Sequence, residues 1–361
     1  MGKKSFGIFQ GLLVLGFWIV LATRPGSSFQ ASAALQVSPA KIVLDNPEST
    51  QQILVRSGKD VTRLATYQVV DAKIAVVDAL GLIQPRSEGR TELVVRHGQG
   101  EVRVPIEVTG LKAPTPVSFQ NQIMPILSKM NCNAGSCHGK AEGKNGFKLS
   151  VFGFDPEADY ESLVKEARGR RLFPSSPDNS LLLRKASSKI AHGGGRRLDP
   201  DGLSYQRLRR WIVEGARYSD ASDVSAIEVE PAQQILGFGD TQQLRVTAVD
   251  SKGKRYCVTL EAQYDSNAGS IAKVDGRGWI QASNIPGQAA ILVRYLGHVT
   301  ICRVTIPRTG ERFTRPPESN FIDRLAWDHL GRLGIPPSDL ADDTTFLRRV
   351  FLDSIGTLPT V

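Results

Sequence analysis

The amino-acid sequence predicts a multidomain chain in which two all-β sandwiches flank an all-α segment, with further helices at the carboxyl end. At 361 residues the chain is longer than one ordinary domain of about 150 residues. Two stretches repeat a layout of short alternating runs typical of β-strands, whereas the stretch between them has apolar residues at helical spacing. Apolar residues make up 41% and charged residues 22% of the chain, which excludes a disordered or polytopic membrane protein.

The amino-terminal residues 1–33 predict export. Lys3 and Lys4 precede an apolar run over residues 6–22, and Ala31–Ala33 offers the small residues of a signal-peptide cleavage site. An uncleaved membrane anchor through residues 6–22 is the alternative, because the run is near the lower limit of about 17 residues for a membrane span. Export places the protein in the periplasm or at the cell surface. It argues against nucleic acid as a partner despite the net charge of +9.

Residues 35–110 and residues 225–307 form an internal repeat. Each opens with V-x-P, at Val37–Pro39 and Val229–Pro231, and continues with a Gln-Gln pair, an A-x-V-D string and alternating runs between glycine turns. Apolar and polar residues alternate in half-buried antiparallel strands, so each repeat predicts a small sandwich. Both stretches resemble group 2 bacterial immunoglobulin-like (Ig-like) domains.

Residues 118–217, between the repeats, predict an all-helical domain. Ser118 is a candidate N-cap for the first helix. The clearest helix is the last one, which carries Leu208 and Trp211 on one face and has Gly215 just past its end.

Helical periodicity returns after a polar linker over residues 308–319. Phe321 and Leu325 begin one apolar stripe, and Phe346 and Leu347 begin a second. Two helices cannot bury such faces alone, so residues 320–361 are expected to be the start of a truncated helical domain.

The motif N-C-N-A-G-S-C-H-G, residues 131–139, predicts a cofactor site. Cys132 and Cys137 are the two thiols that c-type haem attachment requires, and His138 follows the second thiol as an axial ligand to the iron. The usual spacing has two residues between the cysteines, whereas four lie between them here. A local disulfide, half of a zinc site and two unrelated thiols are the alternatives.

Several strings around this motif occur in a characteristic order: NCNAGSCHGK, AEGKNGFKLSVFGFDPEADY, ARGRR, AHGGGRRLD and RLRRWIVEGA. Together they resemble the cytochrome c-like domain of exported planctomycete-type multidomain proteins. The carboxyl-terminal strings NFIDRLAWDHL and FLRRVFLDSIGTLPT look like the start of a helical domain of unknown function found beside such cytochromes. The resemblance implies an exported c-type cytochrome with covalently bound haem c, iron and one-electron transfer. It leaves open whether the protein is an enzyme.

His192 is the candidate for the second axial ligand. All three methionines, Met1, Met124 and Met130, lie upstream of the attachment motif, so a downstream Met ligand is missing. His192 lies in a glycine-rich loop before the last helix. The alternative is a solvated loop residue over a five-coordinate iron.

Five arginines near the motif are candidates to pair with haem propionates or to dock an acidic redox partner protein: Arg168, Arg170, Arg171, Arg196 and Arg197. A solvated helix face is the alternative for each of them.

Cys257 and Cys302 lie in strand-like runs of the second repeat, where either a disulfide or two separate buried thiols would fit. The alternative to an electron-transfer function is a surface or periplasmic scaffold whose Ig-like modules bind a polymer or partner, with haem structural or absent. A third hypothesis is that the carboxyl-terminal region is a hydrolase or an oxidase that the haem serves.

Overall fold

The computed structural model describes residues 1–2, 34–219, 223–310 and 314–360. The predicted signal segment or anchor over residues 6–22 lies outside the described residues. In the described part of the chain no helix is both long enough and apolar enough to cross a membrane. Residues Ala34–Val361 form one compact unit.

The first sandwich contains ten strands: β1 (Gln36–Ser38), β2 (Ile42–Leu44), β3 (Gln51–Gln52), β4 (Leu54–Ser57), β5 (Lys59–Asp60), β6 (Thr66–Val69), β7 (Ala75–Val77), β8 (Leu82–Pro85), β9 (Gly89–His97) and β10 (Gly100–Val108). They form three sheets with strand orders β2-β10-β9-β6, β1-β4-β5 and β3-β8-β7. The pairing of β2 with β10 is parallel, whereas the other pairings are antiparallel.

Strand β10 shows why this sequence forms a sheet with one buried face. Val104, Ile106 and Val108 are buried at alternate positions, as the two-residue period of a strand requires. β9 and β10 form a hairpin that closes at the pair His97 and Gly100.

The second sandwich contains ten strands in the same order: β11 (Val224–Glu230), β12 (Gln233–Ile235), β13 (Thr241–Gln243), β14 (Arg245–Asp250), β15 (Arg255–Cys257), β16 (Gln263–Ser266), β17 (Ala272–Val274), β18 (Trp279–Ala282), β19 (Gly287–Tyr295) and β20 (His298–Ile306). Its sheets, β12-β20-β19-β16, β11-β14-β15 and β13-β18-β17, match the three sheets of the first sandwich. The repeat seen in the sequence is therefore also a repeat of topology, and each copy has its own hydrophobic core.

The central segment between the sandwiches has a third hydrophobic core around Phe119 and Trp211. It contains four α-helices: α1 (Met124–Lys129), α2 (Pro156–Tyr160), α3 (Leu181–Ala186) and α4 (Leu203–Val213). The Ser118 hydroxyl accepts a hydrogen bond from the Asn121 backbone N–H, as expected for an N-cap, although the turn that it begins is a π-helical one.

The prediction of an all-α cytochrome c-like domain was wrong. The described residues form six β-sheets in all, and the central helices have only 6, 5, 6 and 11 residues, joined by short 3₁₀ and π turns and loops. The physical reason is backbone conformation. Asn131, Asn145, Phe152 and Ala167 all have positive φ, which an α-helix cannot accommodate. The apolar residues pack into one core without continuous helices.

Two helices follow the second sandwich, α5 (Phe321–Leu333) and α6 (Asp343–Ile355). Asn320 begins α5 with a reciprocal capping box to Asp323, and Gly334 and Gly356 end the two helices in the left-handed conformation. Neither helix contains a buried residue, so the predicted apolar stripes face outward. That residues 320–361 begin a larger domain stays a prediction.

Candidate functional sites

The loop that carries Cys132 and Cys137 folds back on itself after α1. The Cys132 carbonyl accepts a hydrogen bond from the His138 N–H (3.0 Å), and the Ala134 carbonyl accepts one from the Cys137 N–H (2.8 Å). A Cβ atom at Gly139 would lie 2.1 Å from the Asn133 carbonyl oxygen, so only glycine fits there. The four residues between the cysteines therefore form a compact turn that keeps His138 next to both thiols in space.

The His138 side chain is oriented by the strand-like segment that follows it. Its Nδ1 lies 3.0 Å from the Phe147 carbonyl oxygen, and the two rings are 4.5 Å apart between centroids. An Nδ1–H donated to a carbonyl leaves Nε2 with its lone pair. Burial lowers the pKa of His138, which favours this neutral form.

The His192 side chain is oriented in the same way, by a carbonyl group of its own glycine-rich loop. Its Nδ1 lies 2.8 Å from the carbonyl oxygen of Gly195, so its Nε2 is also left with a lone pair. A Cβ atom at Gly194 would lie 3.0 Å from the His192 ring, so the loop backbone lies tightly against the imidazole.

All four predicted site residues line one cavity of about 190 Å³, which we call the cysteine–histidine cavity. Five cationic side chains also line it, whereas the described lining contains no acidic side chain: Lys144, Arg170, Arg171, Lys185 and Arg197. Of the five predicted arginines, Arg168 and Arg196 are not part of this lining. Arg196 instead pairs with Asp199 at 2.8 Å.

Arg171 has a structural role in the cavity wall. Its guanidinium donates to the carbonyl oxygens of Ser162 (2.6 Å), Glu166 (3.2 Å) and Gly146, and its Cζ lies 4.7 Å from the centroid of the Phe147 ring. The group is 4% exposed, so most of its donors are used within the fold.

The cysteines of the cavity are free thiols. Burial raises the pKa of Cys132 to about 11, so this group is a neutral thiol at neutral pH. Zinc binds the thiolate, and within the described residues no group of three or more His, Cys, Asp or Glu side chains is arranged to hold a metal ion. The cavity therefore contains two separate thiols in place of a local disulfide.

Cys257 and Cys302 are also free thiols and lie in different sheets. Cys302 is buried in the core of the second sandwich, where burial raises its pKa to about 12. The Cys257 sulfur instead accepts a hydrogen bond from the Gln52 N–H of the first sandwich (3.4 Å). The structure thus has two separate thiols in place of a disulfide.

Helix α4 connects the central segment to both sandwiches through buried ion pairs. Arg210 binds both carboxylate oxygens of Glu48 in the first sandwich, at 2.8 and 2.7 Å. Arg207 pairs with Glu261 of the second sandwich at 3.0 Å and donates to the Glu48 carbonyl oxygen at 2.9 Å. Bidentate charge-assisted bonds of this kind fix orientation as well as distance.

The two sandwiches also contact each other directly through equivalent positions. The Gln243 N–H donates to the Asp60 carboxylate at 2.9 Å, and the Gln52 N–H donates to Cys257. The side-chain amides of Gln52 and Gln243 donate equivalent hydrogen bonds to carbonyl oxygens of their own sandwiches. Strands β5 and β15, which carry Asp60 and Cys257, hold matching places in their sheets. The interface therefore has a pseudo-two-fold character.

A second and larger cavity, of about 840 Å³, lies where the two sandwiches and the central segment meet; we call it the junction cleft. Most of the residues that line it are of polar types and come from distant parts of the chain, including Glu48, Thr50, Arg207, Arg245 and Glu261. Sequence analysis does not predict this cleft, because no motif or spacing relates these residues.

No family model matches the sequence, and no curated relative matches it. Solved structures align over most of the chain at low similarity. Domains 5–6 of the S-layer protein SbsC align with a TM-score of 0.30 and 10% identity, covering 77% of this chain and 99% of that one. Domains 3–5 of Drosophila OTK align with a TM-score of 0.16 and 8% identity, covering 76% of this chain and 62% of that one. At these scores the alignments carry no argument about fold or function.

The predicted identity as a cytochrome c-like protein was wrong, and so was its description as an electron-transfer haem protein. The described chain is built mainly from β-sheets, its central helices are short, and its described residues contain no cluster of three metal-ligating side chains. The Ig-like sandwich part of the prediction agrees with the two matching β-sandwiches.

Proposed function

We propose that this protein is an exported scaffold of the periplasm or cell surface whose Ig-like sandwiches bind a polymer or surface partner. One observation carries the proposal: α4 fixes both sandwiches to the central segment through the buried pairs Arg210–Glu48 and Arg207–Glu261. These pairs join three segments that belong to one compact unit and surround the junction cleft. A rigid frame with a preformed concave surface lowers the entropic cost of binding.

Further support comes from the sequence and from the site chemistry. The basic residues and apolar run at the amino terminus are typical of exported proteins. Arg207 of α4 bonds to Glu261 of the second sandwich and to the Glu48 carbonyl oxygen of the first, as expected for a group that fixes domains in place.

Cell fractionation tests this function. The full chain, expressed with its own amino terminus in a Gram-negative host, should appear in the periplasmic or envelope fraction. The purified protein should then sediment with isolated cell envelopes. The proposal would be contradicted if the protein stayed in the cytosol. It would also be contradicted if all of the protein remained in the supernatant when envelopes are sedimented at low ionic strength.

We propose as a second function that the cysteine–histidine cavity holds haem c as a structural group of this scaffold. Two observations favour it: the cavity brings Cys132, Cys137, His138 and His192 together, and both imidazoles keep Nε2 free by directing Nδ1 to a carbonyl. The thiols would tether the group and the imidazoles would ligate its iron, while the cationic lining would suit its carboxylates.

Mass and absorbance test this second function. Protein matured in the periplasm with haem-attachment factors should gain roughly 0.6 kDa, the mass of a haem group, on the peptide that holds both thiols, and should give a pyridine haemochrome spectrum. The double variant C132A/C137A should lose the adduct, whereas the matched thiol variant C257S should keep it. Colourless wild-type protein with unmodified thiols would exclude haem.

A further inference from the structure

The second sandwich holds the side chain of Lys129 in a small site that suits an ammonium group. The Lys129 ammonium donates to the carbonyl oxygen of Ala262 and, at 2.6 Å, to that of Gly276. It also lies 4.9 Å from the centroid of the Tyr264 ring. An ammonium has only donors and is attracted to aromatic rings, so two carbonyl oxygens and a ring satisfy it. We call this arrangement the ammonium site of the second sandwich.

The same surface also binds the backbone of the segment that carries Lys129. Gln263, on the edge strand β16, donates from its side-chain amide to the Ser128 carbonyl oxygen at 2.7 Å. This carbonyl belongs to the peptide group that directly precedes Lys129. The surface therefore recognises a lysine within a polypeptide, through its ammonium and through its main chain.

The first sandwich repeats the sequence of this site. The string V-T-x-x-A-x-Y occurs at residues 61–67 and again at residues 258–264, and D-x-x-G occurs at residues 78–81 and 275–278. The repeat places three residues of the first sandwich at the positions that bind Lys129 in the second: Ala65 for Ala262, Tyr67 for Tyr264 and Ala79 for Gly276.

The two tyrosines are fixed by equivalent hydrogen bonds. The Tyr67 hydroxyl donates to the Thr62 carbonyl oxygen at 2.5 Å, and the Tyr264 hydroxyl donates to that of Thr259 at 2.8 Å. Each bond joins the tyrosine to the threonine five residues before it, across the alanine whose carbonyl belongs to the site. The ring and the first carbonyl are therefore held together in the same way in both copies.

The turn that carries the second carbonyl is also the same in both sandwiches. Oδ1 of Asp78 in the first and of Asp275 in the second each accepts two backbone N–H bonds of 2.8–2.9 Å within the turn. Gly81 and Gly278 both have a φ of 76° and bring the turn against the tyrosine ring. The carbonyl between aspartate and glycine thus has the same place relative to the tyrosine in each copy.

In the first sandwich this surface is open in the described part of the chain. Ala79 is exposed, as is Thr66, which takes the place of Gln263. Leu64 takes the place of Glu261 and is 69% exposed, so the first site has one carboxylate fewer and offers apolar surface to the methylene stem of a lysine. The first sandwich therefore presents to solvent a geometry that the second uses to hold its own chain.

We propose that the first sandwich binds a lysine side chain of a partner polypeptide at Ala65, Tyr67 and Ala79, as the second sandwich binds Lys129. The ammonium donates to the two alanine carbonyl oxygens beside the Tyr67 ring, and Thr66 lies next to the main chain of the partner. This rests on the proposed scaffold function and names the chemistry of the partner and the surface that it contacts.

Titration of the full exported chain with synthetic peptides tests the proposal. The probe is residues 124–131 with blocked ends, because this segment carries Lys129. Backbone amide signals of Thr66, Tyr67 and Ala79 should shift in NMR spectra as the peptide is added. The same peptide with an acetylated lysine has lost the charge, so it should leave these signals unchanged.

Variants of the first sandwich locate the contact. Tyr67→Leu removes the ring, so affinity for the lysine peptide should fall about two- to fivefold, whereas Tyr67→Phe keeps the ring and should bind as the wild type does. Ala79→Arg places a like charge beside the ammonium and should weaken binding further. Ala72→Arg is its matched control, because it adds the same charge at an exposed position outside the site.

Thermal unfolding shows whether each variant is folded. The proposal would be overturned if the lysine peptide did not bind, or if the acetylated peptide bound equally well. Equal affinities of the Ala79→Arg and Ala72→Arg variants would also overturn it. Envelope sedimentation that persists in any of these cases would leave the scaffold function standing.

Discussion

At the scale of single residues, the central segment contacts the second sandwich through Lys129. Its ammonium donates to the carbonyl oxygens of Ala262 and Gly276 and lies 4.9 Å from the centroid of the Tyr264 ring. Burial lowers the pKa of Lys129 from 10.5 to about 8, although the charges of Glu261 and Asp275 partly oppose the shift. The charged form therefore costs free energy in the folded protein.

This lowered pKa predicts a specific pH dependence of stability. Between pH 8 and 10.5 the unfolded chain keeps the Lys129 proton and the folded chain loses it, so the free energy of unfolding should rise with pH over that window. The gain from this residue has an upper limit of about 3 kcal/mol. Urea unfolding of the wild type and of Lys129→Met at pH 8 and pH 10 measures this gain. It equals the difference between the two proteins in how much the free energy of unfolding changes from pH 8 to pH 10. An equal pH response in both would contradict the lowered pKa.

Single residues also show how far the sequence predicts the candidate site. The motif at residues 131–139 singled out Cys132, Cys137 and His138, which are neighbours in sequence and therefore close in space, and the absence of a downstream methionine pointed to His192. All four line one cavity. Thr50, Arg207, Arg245 and Glu261 had no such signal. Their meeting depends on how three folded segments dock, and docking leaves no local pattern in a sequence.

At the scale of secondary-structure elements, the strands were more predictable than the helices. In β10 and its equivalent β20, apolar and polar residues alternate because one face of each strand is buried. Glycine turns mark the hairpins. In the central segment the apolar spacing indicated an all-helical domain, but Gly143, Gly146, Gly153 and Gly169 adopt positive φ and divide the segment into short turns. Periodicity reports which residues are buried, whereas backbone conformation decides whether the helix continues.

Helices α5 and α6, in contrast, lie where the sequence predicts helices. Asn320 and Asp342 cap them, since each side chain accepts backbone hydrogen bonds in the first turn. Their apolar faces remain exposed in the described chain, for example at Phe321, Leu325 and Phe346. Exposed apolar area of this extent is typical of a contact surface.

At the scale of the whole molecule, stability depends on the pairs that join the three segments. Glu48 is 5% exposed and both of its carboxylate oxygens bind Arg210. Arg210→Gln should therefore leave a buried charge without its cation, at a cost of about 3–5 kcal/mol. Calorimetry should show a lower unfolding temperature, and separate transitions where the wild type unfolds as one body.

Arg90→Gln is the matched control for this prediction. It removes the pair of Arg90 with Glu107 across β9 and β10, where the arginine side chain is 83% exposed. Exposed pairs contribute at most about 1 kcal/mol, so its unfolding should resemble that of the wild type. If the Arg210 variant were no less stable than this control, α4 would not join the three segments.

The pseudo-two-fold contact between the sandwiches needs to contribute little binding free energy to keep them together. Two copies of one module meet through matching surfaces, as the subunits of a symmetric homodimer do, yet here both copies belong to a single polypeptide. The central segment between them acts as a tether that keeps their local concentration high at any dilution. An interface far too weak to hold two free subunits together is therefore sufficient to keep this pair associated.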